Sequence, residues 1–221
     1  MRDFILNFAP YIIFTCLGFL SGSILFCKLI PLVFFGKDIC SLSDDKNPGA
    51  ANVFMSCGPV IGMICLILEI CKGFVPVFVS LRYTDVRSLL FAPIIAAPVI
   101  GHAVAPFNGF RGGKSIAVSF GVMLGMLPVT RCVLILAAIY IITSTLVRVG
   151  PHRKRSIVTY ALFAAGSAPL LIRRGLASVA VGVIILSLTV IYKHSLRFCT
   201  AEVIEKENRE KAAVNKDKPA Q

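Results

Sequence analysis

Two short loops that contain glycine carry the residues of this chain that could do chemistry. The later loop, residues 108–115, reads NGFRGGKS and joins two apolar stretches. Its glycines, Gly112 and Gly113, leave backbone N–H groups open to a ligand, while Arg111 and Lys114 add positive charge where a helix begins. This combination is typical of a phosphate-binding helix start. The nucleotide-binding pattern GxxxxGK[ST] is incomplete, because its first glycine is Asn108 here and no soluble strand precedes it. We therefore interpret the loop as an anion site without nucleotide hydrolysis.

The earlier loop, residues 47–52, reads NPGAAN. Gly49 and its small neighbours allow a ligand to approach the backbone closely, and Asn47 and Asn52 offer neutral hydrogen-bond donors. A structural reading is equally open, since Asn47 followed by proline at the first helical position is an ordinary helix start. The presence of the second loop favours a binding role.

Four polar residues lie within or beside apolar stretches. Glu69 and Lys72 are one helical turn apart, which fits either a functional site in the membrane or a structural ion pair. With Gly73 beside them, they suggest that the stretch 53–80 is one long helix broken at this point. Ser23 could face the same pocket, although a serine within a helix usually bonds its own backbone. His102 could act as a hydrogen-bond donor, as a base or simply as an interfacial residue.

The elements that must position these residues are predicted to be membrane helices. The chain is 57% hydrophobic and has a mean hydropathy of +0.83, which exceeds the range of soluble domains. Continuous apolar runs of this length favour helices over strands. We predict an all-α polytopic protein with one membrane domain over residues 1–192 and a charged tail over 193–221. About seven spans are expected, at 4–35, 53–80, 88–104, 116–129, 132–147, 156–172 and 175–192.

The positive charge indicates an orientation and not a nucleic-acid partner. The formal net charge is +12, but the basic residues lie in short loops and the tail, without the stacking aromatics of an RNA-binding surface. An odd number of spans puts the loops at 36–52, 102–114 and 148–155 on the same side as the C-terminus. This side has more Lys and Arg, so we expect it to be cytoplasmic, with the N-terminus outside the plasma membrane. The basic run 148–155 is read mainly as a determinant of this topology.

Cysteines and paired glycines suggest packing roles. The eight cysteines are scattered without CxxC spacing and there are three histidines, so no metal site is expected. Glycine pairs at 18/22, 58/62 and 121/125 place small residues on one helix face. We expect them to serve packing within one chain, and a monomer is favoured over a dimer.

Taken together, these segments resemble the bacterial acyl-phosphate:glycerol-3-phosphate acyltransferase family (PlsY). The resemblance rests on GSILF at 22–26, GKDI at 36–39, NPGAANV at 47–53, LEICKG at 68–73, GHAVAPF at 101–107 and FRGGKSIAVSFG at 110–121. It covers roughly the first 130 residues. The family has a seven-span fold, an outside N-terminus and a cytoplasmic site, all in agreement with the topology argued above.

The resemblance implies transfer of a fatty acyl group from acyl phosphate to the 1-hydroxyl of glycerol 3-phosphate, within membrane lipid and without metal or other cofactor. Lys114 is then expected to hold a phosphate together with Gly112, Gly113 and Arg111. Asn47, Gly49 and Asn52 are expected to bind and orient a substrate. Ser23 and His102 are expected to line the pocket and assist proton transfer.

Three departures from the family pattern leave alternatives open. Cys40 stands where the family has an arginine, residues 44–46 (DDK) replace a Gly-Ser-Gly, and the third family region is poorly kept at 194–197 (HSLR). A catalytically altered member is therefore one alternative. A transporter of a phosphorylated metabolite is another, and paired broken helices in inverted repeats would favour it.

Overall fold

A computed structural model describes residues 2–43 and 45–195, with side chains from Phe8 onward. The regular elements of these residues are helical, as predicted. The α-helices are α1 Arg2–Ser23, α2 Phe26–Phe35, α3 Ile39–Leu42, α4 Ala50–Cys57, α5 Pro59–Ser80, α6 Ala92–Val104, α7 Ile116–Gly125, α8 Cys132–Ile141, α9 His152–Arg173 and α10 Ala177–Ser195. Short 3₁₀ turns cover Leu89–Phe91 and Pro106–Asn108, and α8 continues as a π-helix over Ile142–Leu146. The predicted tail from residue 196 onward lies outside the described residues.

Four of the described helical segments are long and apolar enough to cross a bilayer: Pro59–Ser80, Leu89–Asn108, His152–Arg173 and Ala177–Ser195. α1 and α2 form a fifth span if counted together, although they bend by 45° at residues 24–25. α7 and α8 are apolar but shorter. The helices also expose many large apolar side chains, Phe34, Val60, Leu134 and Leu162 among them, as expected for a lipid-facing surface. A multi-pass membrane fold follows, while the count of about seven spans stays a prediction.

The second apolar stretch breaks at a different place from the one its charges suggested. We expected an interruption at Glu69, Lys72 and Gly73, but α5 runs through all three and the break falls at Gly58 instead. Gly58 has φ +84°, a conformation that glycine adopts without steric cost. The charges do not interrupt the helix because Glu69 and Lys72 pair with each other across one turn, 2.6 Å apart.

The start of α4 also corrects the sequence interpretation. The helix begins at Ala50 with Gly49 in the N-cap position and without a side-chain cap. Asn47 and Pro48 lie before it in extended loop structure, so Asn47 does not cap the helix. This leaves its side chain available for other contacts.

Glycines let two pairs of helices approach until backbones touch. On α1, a Cβ placed at Gly22 would collide with the carbonyl of Pro98 on α6, and one at Gly101 with the carbonyl of Phe19. On α7, a Cβ at Gly121 would collide with the carbonyl of Ile70 on α5. Two of the three predicted glycine pairs, 18/22 and 121/125, therefore make contacts within the chain.

Alanine at Gly22 should lower the free energy of unfolding by about 1–3 kcal/mol, because the new methyl group meets backbone that cannot move away cheaply. Gly166 on α9 is the matched control, since a Cβ there meets open space and alanine is the better helix former. Thermal unfolding in detergent measures both variants. Equal melting temperatures for the Gly22 and Gly166 variants would contradict the proposed close contact between α1 and α6.

The loops that were predicted to share one side of the membrane do lie at one end of the helix bundle. Asp45, Lys114 and His152, one from each loop region, line a single cavity. The C-terminal end of α10 is also there, because Lys193 Nζ donates to the carbonyl of Ala103 at 2.8 Å. The loops that carry the predicted site residues are therefore together at this end of the bundle.

Candidate functional site

A cavity of about 970 Å³ opens at this end of the bundle. Its apolar walls come from the membrane helices α5, α7 and α8 and include Leu66, Ile70, Ile116, Phe120 and Tyr140. Its polar lining comes mostly from loops and helix starts, with Glu69 from the middle of α5 and His102 from the last turn of α6. It comprises Asp45, Asn47, Asn52, Glu69, His102, Lys114, Ser115, His152, Arg153 and Lys154. A ligand that fits both parts has a charged head and an apolar tail.

The polar lining centres on the carboxylate of Asp45. Lys114 Nζ lies 2.5 Å from Asp45 Oδ2, while Asn52 Nδ2 and the backbone N–H of Asn47 donate to Oδ1 at 2.9 and 3.2 Å. Burial by itself would raise the pKa of Asp45. The hydrogen bonds from Lys114 and Asn52 and the positive charge of Lys114 outweigh it, so the pKa lies below its ordinary value. The carboxylate is thus ionised at neutral pH, and it joins the two predicted loops.

The two asparagines of the earlier loop have different tasks. Asn52 donates to the carbonyl of Asn47 at 2.8 Å as well as to Asp45, so its amide shapes the loop. Asn47 is buried and lines the cavity, yet its Oδ1 has no hydrogen-bond partner within the described residues. A buried acceptor without a partner is uncommon, so Oδ1 is suited to a donor on a ligand.

A buried cluster of three ionisable side chains adjoins the cavity. Glu69 Oε2 is 2.6 Å from Lys72 Nζ and 3.2 Å from His102 Nδ1, and Lys72 Nζ is 2.9 Å from the same nitrogen. Lys72 also donates to the carbonyl of Ile24 at the bend between α1 and α2. Glu69 and His102 line the cavity. The sequence left open whether Glu69 and Lys72 form an ion pair or a site, and the geometry shows an ion pair that holds a histidine of the cavity wall.

The glycine-rich loop packs tightly onto His102. The N–H of Gly113 donates to the His102 carbonyl at 3.1 Å, and a Cβ at Gly113 would collide with His102 Nε2. A Cβ at Gly112 would likewise meet the carbonyl of Ala103. These glycines are therefore required for close approach to α6, and the N–H of Gly113 is already engaged. The loop leads into Lys114, whose side chain reaches the cavity.

The predicted site residues separate into two groups. His102, Lys114, Asn47, Gly49 and Asn52 line the cavity, whereas Ser23, Arg111, Gly112 and Gly113 are not among its lining residues. Arg111 is exposed.

Ser23 bonds the backbone of its own helix, as serine usually does, because its hydroxyl donates to the carbonyl of Phe19 at 2.7 Å. That carbonyl packs on Gly101, the residue before His102.

Sequence reasoning missed part of the polar lining. Asp45 was noted only as a departure from the family pattern. The basic run at 148–155 was read mainly as a topology determinant, yet His152, Arg153 and Lys154 line the cavity. The available signal was the run of four basic residues, His152 to Arg155, directly after Pro151 at the start of α9, where the helix dipole already favours anions.

The described residues define an all-helical integral membrane protein whose cavity combines cationic side chains with apolar walls. Residues 12–198 match the profile of the family described as glycerol-3-phosphate acyltransferase. The chain belongs to this family, which confirms the resemblance seen in its motifs.

Individual relatives align over part of their length. The chain is 39% identical over 111 residues to a glycerol-3-phosphate acyltransferase of Hydrogenobaculum sp., covering 50% of this chain and 56% of the relative. It is 40% identical over 125 residues to one of Leptospira borgpetersenii, covering 56% of each. The chain thus spans little more than half the length of the curated relatives that it matches.

Two solved structures share the fold. They are the lysophosphatidic acid and glycerol 3-phosphate forms of PlsY (YgiH), an integral membrane glycerol 3-phosphate acyltransferase. Each superposes with a TM-score of 0.70 at 23% identity, covering 87% of this chain and 92% of that chain.

Proposed function

We propose that this protein transfers a fatty acyl group from acyl phosphate to the 1-hydroxyl of glycerol 3-phosphate, giving lysophosphatidic acid and inorganic phosphate in phospholipid biosynthesis. The observation that carries the proposal is one cavity with cationic and amide groups from loops and apolar walls from membrane helices. Its family membership supports the same reaction. So do the named ligand forms of the structures that share its fold.

Charge neutralisation is the first task of the site. Acyl phosphate is a mixed anhydride with a good leaving group, so positioning two anions side by side is the main demand on the protein. Lys114 is placed to hold one phosphate from the glycine-rich loop. Arg153 and Lys154, at the start of α9, provide positive charge for the other. Gly112 and Gly113 contribute by bringing this loop close to α6, and Arg111 adds charge outside the cavity.

Orientation of the acceptor is the second task. Asn47 Oδ1 is a buried acceptor at the cavity wall and would take a hydrogen bond from a hydroxyl of glycerol 3-phosphate. Asn52 holds the backbone of Asn47, and Gly49 keeps the approach to this loop open. The acyl chain would lie along the apolar walls.

The transfer needs no acyl-enzyme. The hydroxyl oxygen attacks the acyl carbon, the bond from that carbon to the phosphate oxygen breaks, and the hydroxyl proton leaves. His102 would assist this proton transfer from the cavity wall, and the proton ends on the released phosphate. Phosphate leaves with the electrons of the broken bond. Ser23 would act indirectly, by bonding the Phe19 carbonyl that packs beside His102.

The finer topology belongs to the same proposal. We place the protein in the plasma membrane as a monomer with about seven spans, the N-terminus outside and the cavity in the cytoplasm. The majority of basic residues in loops at the cavity end supports this orientation. In it, glycerol 3-phosphate reaches the cavity from the cytosol, and the acyl chain of acyl phosphate enters from the bilayer.

Turnover of purified protein tests the reaction. Protein in bilayer nanodiscs receives an acyl phosphate and glycerol 3-phosphate, and both lysophosphatidic acid and released phosphate are measured. Equal amounts of the two products are expected, and only when both substrates are present. The absence of both products from folded protein would overturn the proposal. Replacing acyl phosphate with acyl-CoA or acyl carrier protein identifies the donor.

Transport of a phosphorylated metabolite, with the same loops as anion sites, is the alternative from the sequence, and paired broken helices in inverted repeats would favour it. The sequence offered one such break, at Lys72 and Gly73, without a mate, and α5 is continuous there. Uptake of glycerol 3-phosphate into proteoliposomes without acylation would nevertheless be the result that favours a transporter.

A further inference from the structure

The carboxylate of Asp45 makes the contacts that a bound anion would make. It accepts from an ammonium group, a side-chain amide and a backbone N–H: Lys114 Nζ at 2.5 Å, Asn52 Nδ2 at 2.9 Å and Asn47 N at 3.2 Å. A cation together with neutral N–H donors is the usual environment of a phosphate or carboxylate ligand. Lys114, Asn47 and Asn52 are also the residues proposed to bind substrate.

This carboxylate belongs to the cavity itself. Asp45 is half-buried and lies in the cavity lining together with Lys114. It comes from the segment where the chain has DDK in place of the small residues of the family pattern. The pKa of Asp45 lies below its ordinary value despite the burial of the side chain, so the carboxylate is charged at neutral pH. An incoming phosphate therefore meets a lysine that already has an anionic partner.

We propose that Asp45 is a tethered competitor of the anionic substrate: its carboxylate occupies the anion position on Lys114, and a phosphate-bearing ligand binds by displacing it. The inference rests on the proposed function only in taking Lys114 as the phosphate-binding residue. Asp45 then sets the affinity of the cavity for anions. Removing its charge should strengthen anion binding, which is the opposite of the result expected for a residue that helps to hold substrate.

The size of the effect follows from the fraction of molecules in which Lys114 is available. A ligand that binds one of two states has an affinity reduced by the fraction of the competent state. A partly exposed ion pair is worth little in isolation, so we expect roughly a three- to tenfold increase in affinity on its removal. The displaced carboxylate also repels a bound anion, which acts in the same direction.

Asp45→Asn is the variant that isolates the charge. Its amide keeps an oxygen that can accept from Asn52 and from the backbone of Asn47, so the loop retains these contacts. The matched control is Asp85→Asn, which removes one negative charge in the turn beyond the other end of α5, where Asp85 accepts from the N–H of Arg87. The cavity meets α5 as far along as Ile70, so the rest of the helix to Ser80 places about 15 Å of helix axis between the cavity and that turn.

The measurement is the dissociation constant of inorganic phosphate, titrated into purified protein in detergent at neutral pH and constant ionic strength. We expect tighter binding by Asp45→Asn and unchanged binding by Asp85→Asn. In a Lys114→Ala background, Asp45→Asn should bring a much smaller gain, because there is no ammonium group to release and only the repulsion by the carboxylate is removed. A gain of the same size without Lys114 would be a bulk electrostatic effect and would overturn the inference.

Other outcomes are equally decisive. Weaker or unchanged phosphate binding by Asp45→Asn, with a melting temperature like that of the wild type, would overturn the inference by showing Asp45 to be a structural or substrate-holding residue. Asp45→Ser tests the same point without the amide. Weaker phosphate binding by a folded Asp45→Ser protein would likewise overturn the inference. Phosphate binding needs no acyl donor, so this result is independent of acyl transfer. A wild-type protein without turnover would remove the proposed reaction and leave the Asp45 result standing.

Discussion

Alanine at Lys114 should lower kcat/KM for acyl transfer by about 10²–10³-fold, the range seen when a group that stabilises transition-state charge is removed. Lys114 supplies the ammonium group that reaches the cavity from the glycine-rich loop. Its loss leaves a substrate phosphate without compensation. It also removes the ammonium group beside Asp45, so the local field becomes less attractive for anions. The initial rate of lysophosphatidic acid formation at varied glycerol 3-phosphate measures the effect.

Two variants establish that the loss is specific. Arg82→Ala removes one positive charge from the exposed turn between α5 and the 3₁₀ segment before α6, and it should retain wild-type kinetics. Lys114→Arg keeps the charge on a different shape, and we expect partial activity because a guanidinium and an ammonium group are not interchangeable. A Lys114→Ala protein with wild-type kcat/KM would show that this lysine does not bind substrate.

Alanine at Glu69 should destabilise the fold by about 3–5 kcal/mol, because breaking a buried ion pair leaves an uncompensated charge in the interior. Glu69 and Lys72 are almost fully buried and 2.6 Å apart on α5. Lys72 would keep only the Ile24 carbonyl and the imidazole of His102 as partners. His102 would lose the carboxylate that fixes its ring, so activity should fall together with stability.

Thiol labelling on heating measures this loss through Cys65 and Cys132, which are buried and free and become accessible to a maleimide dye on unfolding. Labelling of the exposed Cys16 is subtracted as the background of the folded protein. Glu69→Asp keeps the charge and should recover part of the stability. Replacing both partners, Glu69→Leu with Lys72→Met, should recover more, since an apolar pair needs no compensation. It should leave activity low, because His102 still lacks its carboxylate. If Glu69→Ala has the same melting temperature as the wild type, the buried cluster does not stabilise the fold.

The departures from the family pattern acquire different meanings in the structure. Cys40 lies in the short helix α3, where its N–H donates to Asp38 at 3.0 Å, and it is not among the cavity-lining residues. The DDK segment, by contrast, brings Asp45 to the centre of the polar lining. The third family region at 194–197 is described only for its first two residues. His194 is buried near the end of α10, and its Nδ1 lies 2.8 Å from the carbonyl of Val190.

The sequence was sufficient for the helical class, the two loops and the family. Long continuous apolar runs admit one regular structure in a bilayer, because each backbone polar group must be paired within the segment. Glycine beside lysine, and asparagine beside small residues, indicate binding through local chemistry alone. The loops that contain Lys114 and Asn47 could thus be selected as binding segments from their residue types and spacing.

Only the tertiary structure decided which side chains share the cavity. Asp45 and Lys114 are 69 positions apart, and no local preference in either loop encodes their contact. The same is true of His102 on α6, whose imidazole contacts Glu69 on α5, and of the basic residues at the start of α9. Periodicity and composition report on neighbours along the chain. The shared cavity depends instead on α7 meeting α5 at Gly121 and on the glycine-rich loop packing on α6 at Gly112 and Gly113, where the missing side chains allow distant segments to touch.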